Sequence, residues 1–320
     1  MGGFIHYFSS HFQTLGQEFW PLLVGGLANG FLYGMVAVGY TLVYGVLRLI
    51  NFAHSEVFMA GGFASFFVMQ HLVGTSSPNG ISSVLYILIG ILVGGLTGSL
   101  IAMAIERVAY RPLRKRNSPK LAYLISAIGA SYFLFNFAGK EFGRYSVSMA
   151  QPYTNHPVFT IFGAGVQMYD IIIFIAGALM LFGLDRLVTL TKLGRSIRAV
   201  AQDAETASLM GVNIDRTIAL TFMIGGALGG AAGFLYGMNV GVVYTMGFTP
   251  ALKAFTAAVL GGIGNLRGAV LGGLILGTVE SFSVAFLAPS YIDVTAFGIL
   301  VLVLLVRPTG IMGERLGRSA

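Results

Sequence analysis

Arg48, Asn51, His54, Ser55 and Glu56 fall within nine residues, RLINFAHSE at 48–56, between two long runs that carry no charge. Such a knot supports two kinds of chemistry. At a membrane surface it is a turn. At depth, ionisable side chains are costly and face a cavity or a partner group, so Asn51, His54, Ser55 and Glu56 would mark a translocation path or a broken helix. Pairing Arg48 with Glu56 would neutralise the net charge in either case, and the cost of Arg48 at depth weighs toward the turn. A second polar concentration is RSIRAVAQDAETASLMGVNIDR at 195–216. It has no proline and is rich in helix formers, which predicts a helix from Ser196 to Met210. Gly211 suits the stop of that helix, and Asn213 with Asp215 lead into the next segment. Small residues around Ala204 to Ala207 would let the backbone of a soluble partner come close; the other reading is a solvated connector.

Neither stretch is arranged for catalysis. A phosphate loop, GxxxxGK[ST], is absent, and the one Gly-Lys pair, Gly139-Lys140, is followed by Glu141. The chain therefore binds no ATP through a phosphate loop of its own. The five His are scattered with no HExxH, and no Gly-x-Ser-x-Gly occurs, so no catalytic residue and no metal ligand is assigned. Without cysteine there are no disulfides, thiol nucleophiles or thiolate metal sites. Arg at every third position of a span and a TVGYG filter are both missing, which argues against a voltage sensor or potassium channel.

The elements that must position these residues are membrane helices. Only 10% of the 320 residues are charged, against about 25% in soluble domains, and the mean hydropathy is +0.81. Apolar runs cover 19–47, 57–105, 121–139, 161–184, 217–245, 254–264, 268–288 and 294–306, and the turn LVGTSSPNGISS at 72–83 divides the second. The runs are apolar throughout and do not alternate, so helices rather than a β-barrel are expected. The fold class is all-α: one polytopic domain, 1–320, with eight or nine transmembrane segments. The first span is too long for a signal segment and lacks a cleavage pattern, so it is expected to be retained.

Cations set the orientation. Six Lys or Arg fall in 107–120, five in 186–216, and Arg307, Arg315 and Arg318 follow the last span. The positive-inside rule makes all three regions cytoplasmic, with the N-terminus outside and the tail 307–320 inside. The net charge of +7 is dispersed over these flanking loops, so it reads as a topology determinant and not as a nucleic-acid patch. An odd number of crossings must follow residue 246. Either three segments cross, or two form a re-entrant hairpin and one crosses.

The first span, about 28 residues or roughly 42 Å, exceeds the roughly 30 Å hydrocarbon core and must tilt, break or protrude. GLANGFLYGM (26–35) and GGAAGFLYGM (229–238) agree at eight of ten positions and lie in spans of opposite direction. That pattern fits an inverted repeat, or a shared helix-packing motif. Gly26, Gly30 and Gly34, like Gly229, Gly233 and Gly237, line one helix face each and are expected to be helix contacts. Lys253 is expected at an outer end, Glu280 at a helix end or facing a partner subunit, and Asp293 at the surface or as a cap. Asn265 and Arg267 suit the turn of a hairpin.

Asp203-Ala204-Glu205 followed by Gly211 resembles the coupling loop of ABC importer permeases, with Glu205 standing where that pattern has Ala. DAETASLMGVNIDR as a whole is similar to the LivH-type permeases for branched-chain amino acids. So are NGFLYGMVAVGYTLVYGVLRLINFAHSEVFMAGGF (29–63), ERVAYRPLR (106–114), AFTAAVLGGIGNLRGAVLGGLILGTVE (254–280) and FGILVLVLLVRPTGIMG (297–313). The resemblance implies a type II ABC importer-like permease in a bacterial inner membrane. It implies two cytoplasmic ATPase subunits that bind ATP and Mg, a second permease subunit (LivM-like or a second copy) and an external solute-binding protein. This chain would bind no cofactor. The ATPases would dock on the loop at about 191–216, through Asp203, Ala204, Glu205, Ala207, Leu209 and Gly211. Permeases for urea or short amides look alike, and a stand-alone channel or secondary carrier remains the reading from another class. The apolar inferred lining suits a neutral or zwitterionic solute with an aliphatic tail.

Overall fold

A computed structural model describes residues 2–73, 80–153, 157–161, 164–288, 291–307 and 309–313. Half of the turn expected at 72–83 (residues 74–79) and most of the tail, including Arg315 and Arg318, lie outside the described residues. Each of the nine expected apolar segments carries a helix. They are α1 (Gly2–Leu47), α2 (His54–Leu72), α3 (Ile81–Ile105), α5 (Lys120–Glu141), α6 (Met168–Leu190), α9 (Ile214–Val240), α10 (Phe248–Gly261), α11 (Leu266–Ser283) and α12 (Ile292–Val306). Between them lie the short helices α4 (Arg111–Lys115), α7 (Lys192–Gln202) and α8 (Ala204–Leu209) and the antiparallel pair β1 (Pro157–Ile161) and β2 (Ala164–Gln167). The run expected at 161–184 thus enters its helix only at Met168; before it, Ile161 belongs to β1 and Ala164–Gln167 form β2.

Among the described residues, five helices are long and apolar enough to cross a membrane, six if the bent pair α10–α11 counts as one span. The bend in that pair is 120°. With 14 residues α10 is about 21 Å long, short of the hydrocarbon core. Its turn folds against the tail: Ile311 and Met312 donate their N–H groups to the carbonyls of Leu260 and Gly261, and Asn265 Nδ2 donates to Met312 O at 3.0 Å. Asn265 and Arg267 do lie at a hairpin turn, as expected, and Arg267 pairs with Asp185 of α6 at 3.0 Å.

Helix direction follows from one buried cluster. Val43 and Val46 at the end of α1, Ala102 and Ile105 at the end of α3, Ala53 and Val57 around the start of α2, and Ile218 and Phe222 near the start of α9 pack with Ile197, Val200 and Ala207 of α7–α8. So α1 and α3 run toward this pole and α2 and α9 run away from it. The cation-rich segments gather there.

Packing is by glycine. On α3 the buried Gly90, Gly94 and Gly98 recur every fourth residue, while the exposed Leu88, Leu92, Leu96 and Leu100 recur at the same interval on another face. In lipid there is no hydrophobic gain from helix contact, so small residues make the contact and leucines meet the solvent. The α3 glycines lie antiparallel along Gly226, Gly230 and Phe234 of α9. Gly277 and Gly273 of α11 lie antiparallel along Gly26, Gly30 and Gly34 of α1. The first helix of each half therefore packs on the third helix of the other, as an inverted repeat requires. Gly229 meets the His54 ring, Gly233 meets the Phe58 carbonyl, and Gly237 meets Met149 and Val242. All six glycines singled out in the sequence are helix or loop contacts.

Candidate functional site

The stretch 48–56 combines both sequence readings. Arg48 is exposed at the pole, as an inner-surface turn requires, while Asn51, His54, Ser55 and Glu56 are buried, with 2% of His54 and 5% of Glu56 exposed. The chain manages this by ending α1 at Leu47, reversing at Arg48 in a left-handed conformation (φ 54°), and starting α2 inside the protein. At that depth His54 lies between Gly39 of α1 and Gly229 of α9, edge-on to Tyr40 with ring centroids 4.8 Å apart. Only glycine backbone leaves room for the imidazole there.

Arg48 and Glu56 do not pair, contrary to expectation. Arg48 is exposed while Glu56 is buried, and each has other partners. Arg48 Nη2 donates to the carbonyl of Ala201 in α7 at 2.8 Å. Glu56 Oε1 lies 3.0 Å from Ser55 Oγ and 3.1 Å from Ser131 Oγ of α5. As the acidic residue of the first turn of α2, it also faces the positive end of that helix. Asn51 Oδ1 accepts from the Ala53 N–H at 3.1 Å and from Tyr110 Oη at 3.2 Å. Among the described residues, Asn51 Nδ2, His54 Nε2 and Thr41 Oγ1 are buried without a hydrogen-bond partner. The start of α10 comes to the same place, for a Cβ at Gly247 would overlap Ser55 O. Two short helices thus open beside each other at the junction of the two halves.

The expected helix 196–210 is two helices. Asp203 breaks it, because its extended backbone (φ −154°) ends α7 and its Oδ1 caps α8, accepting from the N–H of Glu205 at 2.9 Å and of Thr206 at 3.1 Å. The cap outweighs the helix propensity of the flanking Ala and Glu. Gly211 is the stop that was expected: at φ 83° it donates to Ser208 O while Val212 donates to Ala207 O. Leu209 and Met210 are fully presented to the outside, 84% and 81% exposed. Asp203, Glu205 and Gly211 are exposed and Ala204 is half-buried. Ala207 is the exception among the expected docking residues, since it faces inward into the pole cluster. A helix resting on the protein must turn one small residue toward it.

The Asp203 carboxyl is held below its ordinary range by the Thr206 hydroxyl and the capped N–H groups. The cap contribution is therefore present above the unfolded value and lost as pH falls through the folded one. Hydrogen-exchange protection of the Glu205 and Thr206 amides is expected to decline several-fold when the pH drops below about 4. Asp203→Ala is expected to show the low protection at every pH, and equal protection in the variant at neutral pH would refute the cap.

Two polar groupings escaped the sequence reading. At the pole, Arg114 bridges Glu106 at 2.8 Å and Asp215 at 2.6 Å, with Arg111 also on Asp215 at 3.2 Å. Glu106 opens a single π-helical turn, Glu106–Tyr110, that carries Tyr110 to Asn51. It is the one carboxylate between Glu56 and Glu141, a signal that something must neutralise it. Away from the pole, Lys253 of α10 joins Glu280 of α11 at 2.5 Å and Asp293 of α12 at 2.8 Å. Glu280 is therefore a partner of Lys253 within the chain, while Asp293, which also pairs with it, is exposed at the surface as expected.

Among the described residues no group of His, Asp or Glu could hold a metal ion. The fold and this site define a multi-pass α-helical membrane protein with a short exposed helix at one pole and a polar helix break in its interior. The chain belongs to the family described as branched-chain amino acid transport system, permease component, which matches residues 22–304. It is 43% identical to the high-affinity branched-chain amino acid transport system permease protein LivH of Escherichia coli over 91% of this chain and 94% of that one. It is 44% identical to the corresponding permease protein BraD of Pseudomonas aeruginosa over 91% and 95%, and 26% identical to the probable LivH of Methanocaldococcus jannaschii over 94% of each. No solved structure matches it.

Proposed function

We propose that this chain is the membrane-spanning permease subunit of an ATP-driven importer of branched-chain amino acids delivered by an external binding protein. The observation that carries this reading is the likeness to LivH and BraD over nine-tenths of the chain. Two cytoplasmic ATPases, which bind ATP and Mg, would dock on the segment 191–216, and a second permease subunit, LivM-like or another copy, would complete the path. The exposed Leu209 and Met210 support the docking assignment, because apolar side chains at a polar surface signal a covering partner. The cation-rich pole is then cytoplasmic in a bacterial inner membrane, with the N-terminus outside and the tail inside. The break at Asn51, His54, Ser55 and Glu56, where α2 and α10 open side by side, is the region assigned to the path; transporters place their substrate sites at such repeat interfaces.

Uptake of labelled leucine at low external concentration in cells lacking this chain tests the reading. Complementation is expected to restore uptake that valine competes and urea does not. Gly211→Arg, which forces a side chain into a left-handed position, is expected to reach the membrane and fail to transport. Leucine uptake independent of the chain, or competition by urea, would overturn the substrate assignment, and normal transport by Gly211→Arg would overturn the docking role.

A further inference from the structure

We propose that Arg48 is the positioning residue that passes movement of α7 into the broken segment between α1 and α2. The proposal rests on the reading that α7–α8 receive the motion of the ATPases.

Three observations place it. First, the two ends of α7 are tied to different parts of the membrane bundle. In its first turn Gly194 packs against the Val188 carbonyl near the end of α6, and Arg198, in mid-helix, donates to the same carbonyl. At its end, Ala201 O accepts from Arg48 Nη2 at 2.8 Å. That carbonyl is one of the last four of α7, which have no acceptor role within the helix, and it sits at the negative end of the helix dipole. A guanidinium is the strongest simple partner for it. Second, Arg48 holds φ 54°, a conformation uncommon outside glycine and sustained by surrounding contacts. Release of the contact therefore favours a change in the backbone at residue 48. Third, six residues separate α1 from α2, and the far side of this segment is fixed to the buried cluster by Asn51, through Tyr110 and the Ala53 N–H. Displacement of the end of α7 has a short route to Asn51, His54 and Glu56, and the hydrogen bond at Arg48 is its polar step. Ile197 and Val200 of α7 share a buried cluster with Val43 and Val46 of α1, an apolar contact that has no directional bond.

The test uses the complete complex in proteoliposomes: this chain, its partner permease, both ATPases and the binding protein, with labelled leucine as the probe. Arg48→Asn keeps a residue that tolerates the left-handed backbone and removes the guanidinium. Arg48→Lys keeps one charged donor. The expected result is that Arg48→Asn assembles in normal yield and hydrolyses ATP, while leucine transported per ATP falls at least tenfold and Arg48→Lys recovers a substantial part. Wild-type transport per ATP in Arg48→Asn would overturn the proposal. So would a parallel loss of ATPase and uptake with loss of subunits, since Arg48 would then act in assembly. Leu209→Asp separates the two levels. If it strips the ATPases from the complex, the docking reading stands whatever Arg48 does; if the ATPases remain bound, that reading fails and the relay fails with it.

Discussion

Gly230→Leu is expected to yield no monodisperse permease after detergent extraction, whereas Gly183→Leu accumulates at the wild-type level. Gly230 lies where three helices touch backbone to backbone. A Cβ there would overlap the carbonyl oxygen of Gly94 and come 3.0 Å from the Cα of Gly98 on α3, and from the other side a Cβ on Gly61 of α2 would overlap Gly230 itself. No flexible side chain is present to move aside. The helices must separate, which costs more than the roughly 1–3 kcal/mol of ordinary overpacking and consumes much of the 5–15 kcal/mol that holds a domain together. Gly183 of α6 has nothing within 4 Å of its Cβ position, so a leucine there only adds apolar surface. Size-exclusion profiles of the two variants decide the matter. A normal Gly230→Leu peak would mean that the α2–α3–α9 contact does not hold the fold.

Lys253→Ala is expected to lower the thermal midpoint of the purified protein by roughly 5 °C or more, since 1 kcal/mol is about 2–4 °C in larger domains. Its ammonium is the link between α10, α11 and α12, and it also lies 5.9 Å from the centre of the Tyr33 ring of α1. Removing it leaves the largely enclosed Glu280 carboxylate, 12% exposed, without its cation, and among the described residues its Oε2 has no partner. Breaking a buried pair in this way costs about 3–5 kcal/mol, whereas replacing both members by neutral groups of similar shape is nearly harmless. Lys253→Met combined with Glu280→Gln is therefore expected to regain most of the lost stability. An unchanged midpoint in Lys253→Ala, or a double variant no better than the single one, would show that the pair carries no weight.

Much of the architecture was legible along the chain because lipid removes alternatives. A backbone without water must be helical or close into a barrel, and these runs do not alternate, so each apolar run carries a helix; the cation-rich stretches 107–120 and 186–216 meet at one pole through Arg111, Arg114 and Asp215. The repeated GFLYGM stretches pointed to two opposed halves, and the glycine faces proved to be where those halves touch. Gly211 was legible as a helix stop because a left-handed residue leaves a local mark. Asp203 was not, since its Ala-rich and Glu-rich surroundings favour a continuous helix until the cap is seen.

What composition, periodicity and local chemistry determined by themselves was the class of fold, the number of apolar segments and the stop at Gly211. Which polar groups meet was decided by tertiary structure. Arg48 finds a backbone carbonyl 153 residues away, and every residue offers the same carbonyl, so no side chain in the sequence announces the partner. Lys253 had two acidic partners on two other helices, and pairing depends on how α10 folds back by 120°. Hydrophobic periodicity specifies which face of a helix is buried; the neighbour it is buried against follows from packing, and the polar contacts follow from that neighbour.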